Sequence, residues 1–388
     1  PAKWTGNGSR APQPAQGDWY ETVKINFGVR PDGSHDFPEL PEGYAQKDFR
    51  AHAAFWADKD VPDSWEKFRQ ITDYWLDFGV DGFRYDMAGM VPVEFWSYLN
   101  SSIKMQKPDA LLLAEIYQPD LYRDYVHLGK MDYLYDKVGT YDAIRAVMEG
   151  KAGTDPLVDI QKSLNGIEDH MLRFMENHDE QRIASPEFAG NPRAGIPAMV
   201  VSATVSGAPT LLYFGQELGE PGAGDAGFGK ASRTTIFDYW SVPSIRRWNN
   251  DGQFNGEQLS DSEKSLRETY RKLLNFTRQS PALSGEFMDL HRFNREHGKN
   301  YGEQQYSFAR WQGDDRLLVV ANFADSEAAA TLHLPQALIT AWQLEAGEYT
   351  LTNQLGAGTV EMVVADEQTA TVSVDMGPLS GQVLQVSH

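Results

Sequence analysis

The sequence predicts an α/β protein whose larger part is a parallel β/α barrel and whose C-terminal part is an antiparallel β domain. Three observations carry this. From about residue 62 to 279, short apolar runs alternate with helical patterns, the grammar of parallel strands joined by right-handed crossovers. Three residues with chemical character, Asp86, Glu115 and Asp179, stand at the C-terminal ends of such runs, where β/α barrels place their active sites. After about Ser284 the pattern changes to alternating strands punctuated by Gly and Asp.

Taken in order, residues 1–60 are rich in Gly, Pro, Asp and aromatics and show little periodicity. Only 21–27 alternate as a strand does. The segment reads as a loop-rich subdomain inserted in the barrel and covering a site. Residues 61–283 read as the C-terminal part of the barrel. Trp65, Phe68, Ile71, Trp75 and Phe78 recur three or four apart, which predicts a helix over 62–78. Strands are expected at 80–86, 110–116, 131–135, 172–176 and 209–214. Helices are expected at 94–105, 141–148, 156–164, 196–205 and 263–279. Residues 284–388 read as a separate β domain. There 305–311 and 316–323 are alternating strands joined by the turn Gln312-Gly313-Asp314-Asp315, and no helix is expected.

Composition narrows the function. The 388 residues are 41% hydrophobic, enough for one large core and a smaller companion domain. Thirty-five Lys and Arg against 55 Asp and Glu give a formal charge of −20. That argues against nucleic acid or an anionic membrane as partner, since both reward clustered cations. A neutral substrate is indifferent to it. The chain lacks cysteine, so disulfides, thiolate chemistry and Cys-ligated zinc are excluded. The nine histidines show no metal-ligand spacing, and no metal ligand is assigned. No cofactor is required, although calcium, which takes carboxylates and carbonyls, stays open. The chain begins Pro1-Ala2-Lys3-Trp4 without Met or signal peptide, which suggests a cut and leaves the compartment undetermined.

The chemistry starts from "GVDGFRYDMA", residues 79–88. Strand side chains alternate faces, so Arg84 and Asp86 point the same way and the Arg holds the Asp charged and oriented. Glu115 ends the apolar run "LLLAE", a setting expected to raise its pKa. Asp179 belongs to "ENHDEQR", which crowds Asn177, His178 and Arg182 beside it. Two carboxylates at adjacent strand ends can divide nucleophile and acid roles by environment, as retaining glycoside hydrolysis requires. As bland alternatives, Arg84 and Asp86 form a structural ion pair, Glu115 a solvated strand end and His178 a core histidine.

Four stretches, "GFRYDMA", "LLLAEIY", "FMENHDE" and "GAPTLLYFGQE", occur in the order and spacing of the conserved regions of the α-amylase superfamily, which this chain resembles over nearly its whole length. The resemblance implies a (β/α)8 barrel followed by an antiparallel β-sandwich. It implies Asp86 as nucleophile, Arg84 as its positioning partner, Glu115 as general acid/base and Asp179 as stabiliser of the distorted sugar. His178, Asn177 and Arg182 would bind substrate, and Tyr117 either lines the leaving-group side or packs. The implied activity is hydrolysis of α-glucosidic, chiefly α-1,4, linkages in starch, maltodextrins or maltooligosaccharides. A glucanotransferase and a non-catalytic carbohydrate-binding relative are the alternatives, and the presence of all three carboxylates speaks against the second.

Two departures stand out. Only about five of the eight barrel strands are expected, and no Asp-x-x-x-Asn-His occurs. Because soluble proteins avoid long open strand edges, a preceding segment is expected to supply the missing strands. Gly89-Met90 also replaces the Lys-His that α-amylases proper often carry after the nucleophile. Further along, residues 224–232, "GDAGFGKAS", nearly match a phosphate loop, but Ala231 stands where a hydroxyl is needed, so a Gly-rich loop near the barrel mouth is the better reading. Phe237, Trp240 and Trp248 either stack on sugar rings or pack.

Overall fold

The structure, a computed structural model, describes residues 25–223, 234 and 242–387. Residues 21–24 of the first expected strand, the 224–232 loop, Phe237 and Trp240 lie outside them. The described residues fall into two compact units, one ending at Leu134 and the other beginning at Tyr135.

In the first unit, residues 25–27 carry no strand. Helix α1 (Phe49–Trp56) starts on Asp48, whose carboxylate accepts from the Ala51 N–H. Helix α2 (Asp63–Phe78) stops at Gly79, held at φ 99° in the left-handed region that favours glycine. Strand β1 (Gly82–Tyr85) follows, then α3 (Val93–Gln106) and β2 (Leu111–Ala114). Helix α4 (Tyr122–His127) leads to β3 (Tyr133–Tyr135). Strands β1 and β2 run parallel, with Gly82 opposite Leu111 and Tyr85 opposite Ala114; Leu113 pairs with Tyr133 of β3. A Cβ on Gly82 would stand 2.0 Å from the Leu111 carbonyl oxygen, so only glycine fits at the start of β1.

Aromatic rings make this unit's core: Trp65 is fully buried and meets Trp56, Phe95 and Tyr98. Of the expected apolar stripe on α2, Phe68 packs on Phe27 and Phe95, but Ile71, Trp75 and Phe78 are exposed, Phe78 by 71%, as is Tyr74 beside them.

In the second unit, α5 (Asp142–Met148) and α6 (Pro156–Ser163) precede β4 (Met171–Phe174), α7 (Gly195–Thr204) and β5 (Thr210–Leu211). Beyond them lie α8 (Pro243–Asn249) and α9 (Asp261–Gln279). Asp136, just past β3, donates its N–H to Leu172 of β4, and β4 pairs with β5 in parallel. Helix α9 opens on a capping box between Ser260 and Glu263. Every residue of α7 is buried, as its apolar composition requires.

The remaining elements are β6 (Glu286–Asp289), α10 (His291–His297), β7 (Gln305–Gln312), β8 (Asp315–Asn322), β9 (Ala328–Leu334) and α11 (Gln336–Ala341), then β10 (Gly347–Asn353), β11 (Thr359–Asp366), β12 (Thr369–Met376) and β13 (Ser380–Val386). The strands form one antiparallel sheet in the order β6-β7-β8-β13-β10-β11-β12-β9. Residues from both ends and the middle, including Ala309, Leu332, Val372 and Leu384, share one core, so the sheet curls over itself. The turn falls where expected, with Gln312 opposite Asp315. Two short helices correct the all-strand expectation. In α10 only His291 and Asn294 are buried, and α11 has six residues, so neither shows a full amphipathic period. Arg310 of β7 donates to the carbonyls of Val205 (2.8 Å), Leu283 and Gly285, tying the sheet to the chain after α7; burial pushes its pKa down to about 10. Among the described residues no helix is long and apolar enough to cross a membrane.

His52, fully buried in α1, sets a pH limit on the first unit. Its Nδ1 lies 2.7 Å from the Ser97 hydroxyl, which accepts from the Trp56 indole, and its Nε2 lies 2.9 Å from the Tyr44 carbonyl. A carbonyl only accepts, so the Nε2 carries the proton and Nδ1 takes the Ser97 hydrogen. Burial lowers the pKa from 6.5 to about 4. The folded unit therefore keeps its full stability above pH 6.5 and loses it as pH falls through 4, by roughly 3 kcal/mol at most. Urea unfolding followed by tryptophan fluorescence at pH 7 and pH 4 checks this: His52→Gln shows a smaller drop between the two, and equal drops refute it.

Candidate active site

Strand β1 ends at Tyr85, and the chain leaves it through Asp86 and Met87. Arg84 and Asp86 share a face as expected: an Arg84 terminal nitrogen donates to Asp86 Oδ1 at 2.5 Å. The other terminal nitrogen lies 3.5 Å from Glu115 Oε2. One guanidinium thus holds both carboxylates, Asp86 63% and Glu115 8% exposed at the side chain.

Glu115 follows β2 directly, and its N–H donates to the Tyr85 carbonyl, extending the β1–β2 pairing to the site. Its carboxylate accepts from the Met87 N–H at 2.8 Å. Met87 reaches that position at φ 46°, a left-handed conformation uncommon for a residue with a side chain. The expected apolar setting of Glu115 is corrected to a polar one, because the Arg84 guanidinium from β1 and the Met87 N–H from the loop after it face the same oxygen. The loop after Asp86 is bound down further. The Gly89 N–H donates to the Glu115 carbonyl, Tyr125 donates to the Val91 carbonyl at 2.6 Å, and the Trp96 indole donates to Ala88. A Cβ on Gly89 would come 2.5 Å from Gln118 Oε1. Tyr117, two residues past Glu115, is exposed.

The second unit gathers the other predicted residues after β4. Asn177 Oδ1 accepts from the N–H groups of Asp179 (2.8 Å) and Glu180 (2.9 Å), a turn that projects His178 and Asp179 outward. His178 Nε2 lies 3.1 Å from Asp179 Oδ2, and both side chains are part-exposed. Arg182 turns the other way. It is fully buried, donates to Glu176 Oε2 at 2.7 Å and to Thr234, and lies over the rings of Tyr213 and Phe214. Its expected contact with substrate is therefore replaced by support of the loop.

Sequence reading passed over two acids in the same motif. Glu176 accepts from Arg182 and from the Ile183 N–H; burial pushes its carboxyl up to about 7, and Arg182 opposes this. Glu180 accepts from Tyr141 and Arg145 at 3.0 Å each and pairs with Lys137 at 3.3 Å. Their adjacency to Asp179 was the available signal. Among the described residues no group of three or more His, Asp or Glu side chains converges as a metal site.

The family description "Alpha amylase, catalytic domain" matches residues 46–280, and "Alpha amylase, C-terminal all-beta domain" matches 296–387. The chain belongs to the α-amylase family. Alpha-amylase 3 of Dictyoglomus thermophilum is 26% identical over 60% of this chain and 50% of its own length. Alpha-amylase MalA of Haloarcula japonica is 29% identical over 78% of this chain and 38% of its own. A 4-alpha-glucanotransferase of Thermotoga maritima is 28% identical over 42% and 36%. The chain thus spans half or less of the length of these relatives. Among solved structures, the maltogenic α-amylase AmyB of Thermotoga neapolitana superposes with a TM-score of 0.62 at 21% identity, covering 85% of this chain and 68% of that one. The α-amylase of Geobacillus thermoleovorans, complexed with acarbose, gives 0.61 at 19%, covering 85% and 66%. At these identities both speak to fold: the C-terminal part of a (β/α)8 barrel with an antiparallel β-sandwich.

The buried Arg182–Glu176 pair yields a prediction. Arg182→Met strands a buried carboxylate and destabilises the protein by roughly 3–5 kcal/mol. Replacing both, as Arg182→Met with Glu176→Gln, recovers part of that loss. Denaturant unfolding of the single and double variants decides, and additive losses refute the coupling.

Proposed function

We propose that the protein is a retaining glycoside hydrolase that cleaves α-glucosidic, chiefly α-1,4, linkages of starch, maltodextrins or maltooligosaccharides. The observation that carries this reading is the Arg84 guanidinium shared by Asp86 and Glu115. It favours the close spacing of retaining enzymes, about 5 to 5.5 Å, over the ~6.5–9.5 Å that leaves room for a water in inverting ones. The names of the relatives, α-amylases and maltogenic amylases among them, point to the same substrates.

In the proposed mechanism an Asp86 oxygen attacks the anomeric carbon as the glycosidic bond breaks, and Glu115 gives its proton to the departing oxygen. A water then enters, yields a proton to Glu115 and attacks the same carbon, releasing Asp86 and a sugar of retained configuration. Asp179 stabilises the cationic sugar in both transition states, and His178 beside it binds hydroxyls. Arg84 holds Asp86 in its orientation. Asn177 and Arg182 hold the loop that presents Asp179.

We also propose that a preceding β/α segment completes the barrel. The exposed stripe of Ile71, Tyr74, Trp75 and Phe78 supports this, since soluble surfaces seldom leave large aromatics clustered in water. Protection of α2 amides from hydrogen exchange in a chain extended at its N-terminus, and not in this one, is the expected result; equal protection refutes it.

A second reading, transfer of the glucosyl group to a sugar hydroxyl instead of water, is favoured by the glucanotransferase among the relatives. Chromatography of products from a maltooligosaccharide separates the two, because transfer yields longer chains and hydrolysis only shorter ones. Asp86→Ala, Glu115→Gln and Asp179→Ala are each expected to lower kcat by at least about a thousandfold with the fold retained. Near-normal turnover in any of them removes that residue from its role.

A further inference from the structure

Glu180 stands one residue past Asp179 and takes no part in the mechanism above, yet three donors converge on it. The Tyr141 hydroxyl and an Arg145 terminal nitrogen each donate to its Oε2 at 3.0 Å, and the Lys137 ammonium lies 3.3 Å from its Oε1. The Glu180 side chain is only 13% exposed. Holding a carboxylate this far out of water is costly, and ion pairs of this kind add little net stability over apolar packing. What they add is a defined position, here beside Asp179.

The three donors come from one irregular stretch of chain. Lys137–Tyr141 form a single π turn, in which the Tyr141 N–H reaches back five residues to the Asp136 carbonyl at 3.2 Å. Such turns are rare and recur at functional sites. Helix α5 continues directly from this one. In an α-helix four residues turn about 400°, roughly 40° too far for positions i, i+4 and i+8 to stay in line. A π turn holds more residues, so its four-residue step falls short of a full circle and offsets the α step that follows. Lys137, Tyr141 and Arg145 are thereby brought to one face and reach one carboxylate. Each is also braced. Lys137 pairs with Asp142 at 2.7 Å, and Arg145 donates to Glu149 at 3.0 Å. Tyr141 is buried, its ring stacked on Phe174 of β4 at 4.9 Å. Burial, then the Glu180 charge, pushes its pKa up, so the hydroxyl keeps its proton and donates.

Asn177 Oδ1 accepts the N–H groups of both Asp179 and Glu180. The two residues hang from one acceptor, so fixing the Glu180 side chain fixes the backbone that carries Asp179. We propose that Glu180, held by the π turn after β3, is a positioning residue that sets how Asp179 meets the distorted sugar. This rests on the function proposed above, in which Asp179 stabilises the cationic sugar. A purely structural network would act on folding and leave turnover alone.

Glu180→Gln keeps the size of the side chain, loses its charge and sets an amide donor against the donors it faces. It is expected to lower kcat on a maltooligosaccharide about tenfold with KM little changed, since a displaced Asp179 fails chiefly in the transition state. Tyr141→Phe removes one donor and is expected to cost less, adding little in the Glu180→Gln background. Unchanged kcat in Glu180→Gln, or a fall that only tracks the folded fraction in thermal unfolding, overturns the proposal. A second readout needs no turnover. His178 Nε2 lies 3.1 Å from Asp179 Oδ2, so its ring signal in the NMR spectrum of histidine-labelled protein, identified by its loss in His178→Gln, reports where Asp179 sits. Glu180→Gln is expected to shift that signal. A signal that stays in place refutes the positioning role, whereas one that moves while the wild type cleaves no glucan overturns the catalytic reading alone.

Discussion

Arg84 faces two carboxylates from the end of a strand only four residues long, and much of the first unit keeps it there. A carboxylate positioned for attack must be ionised, oriented and partly open, which a single exposed ion pair achieves poorly because its contribution is small and its geometry loose. Here the geometry is fixed from both sides. The β1–β2 ladder continues through Tyr85 and Glu115, so the two acids inherit their spacing from backbone pairing. That ladder requires Gly82, whose missing Cβ lets β1 approach Leu111. The left-handed turn at Met87 then swings a backbone N–H onto Glu115. Glycine at 89 leaves room for Gln118 and lets the chain fold back over the end of β2.

The second unit solves a related problem with burial. Asp179 and His178 project from a turn with no regular structure of its own, so their placement depends on what lies beneath. Glu176 and Arg182 supply it as a closed pair, with Tyr213 and Phe214 from the next motif against the guanidinium. The two motifs "FMENHDE" and "GAPTLLYFGQE" are thus linked by one buried cation. A buried pair of this kind contributes little net stability over an apolar replacement; what it adds is a defined position. Glu180, anchored on Tyr141 and Arg145, pins the far side of the turn.

The sequence made the strand–helix alternation and the strand-end acids legible because both follow from short-range periodicity. From β1 onward the strand positions agree to within a few residues, whereas 25–27 of the first expected strand carry none, and the face shared by Arg84 and Asp86 follows from alternation alone. What it hid are properties of three-dimensional neighbours. The polar surroundings of Glu115 come from Arg84 and Met87, nearly thirty residues away in the chain. The inward turn of Arg182 depends on Glu176, Tyr213 and Phe214 together, which no spacing rule combines. Helices α10 and α11 escape a sequence reading because two buried positions in six or seven residues define no period.

Helix α2 shows where periodicity misleads in the other direction. Its stripe from Trp65 to Phe78 satisfies the amphipathic pattern, yet burial stops after the first turns and four large side chains remain in water. The aromatic contacts among Tyr74, Trp75 and Phe78 recover part of what solvent exposure costs, but a ring packed only on other exposed rings still keeps a wetted face. At about 25 cal/mol per Å² of apolar area, covering such a cluster is worth several kcal/mol to whatever segment packs on it. Strand β1, which ends just before Asp86, is itself the first strand in the order β1-β2-β3, so it too has an edge without a partner strand among the described residues. Arg84 and Asp86 thus stand at the end of a strand paired on one side only, and their placement rests on the β1–β2 ladder and the loop contacts of residues 86–91.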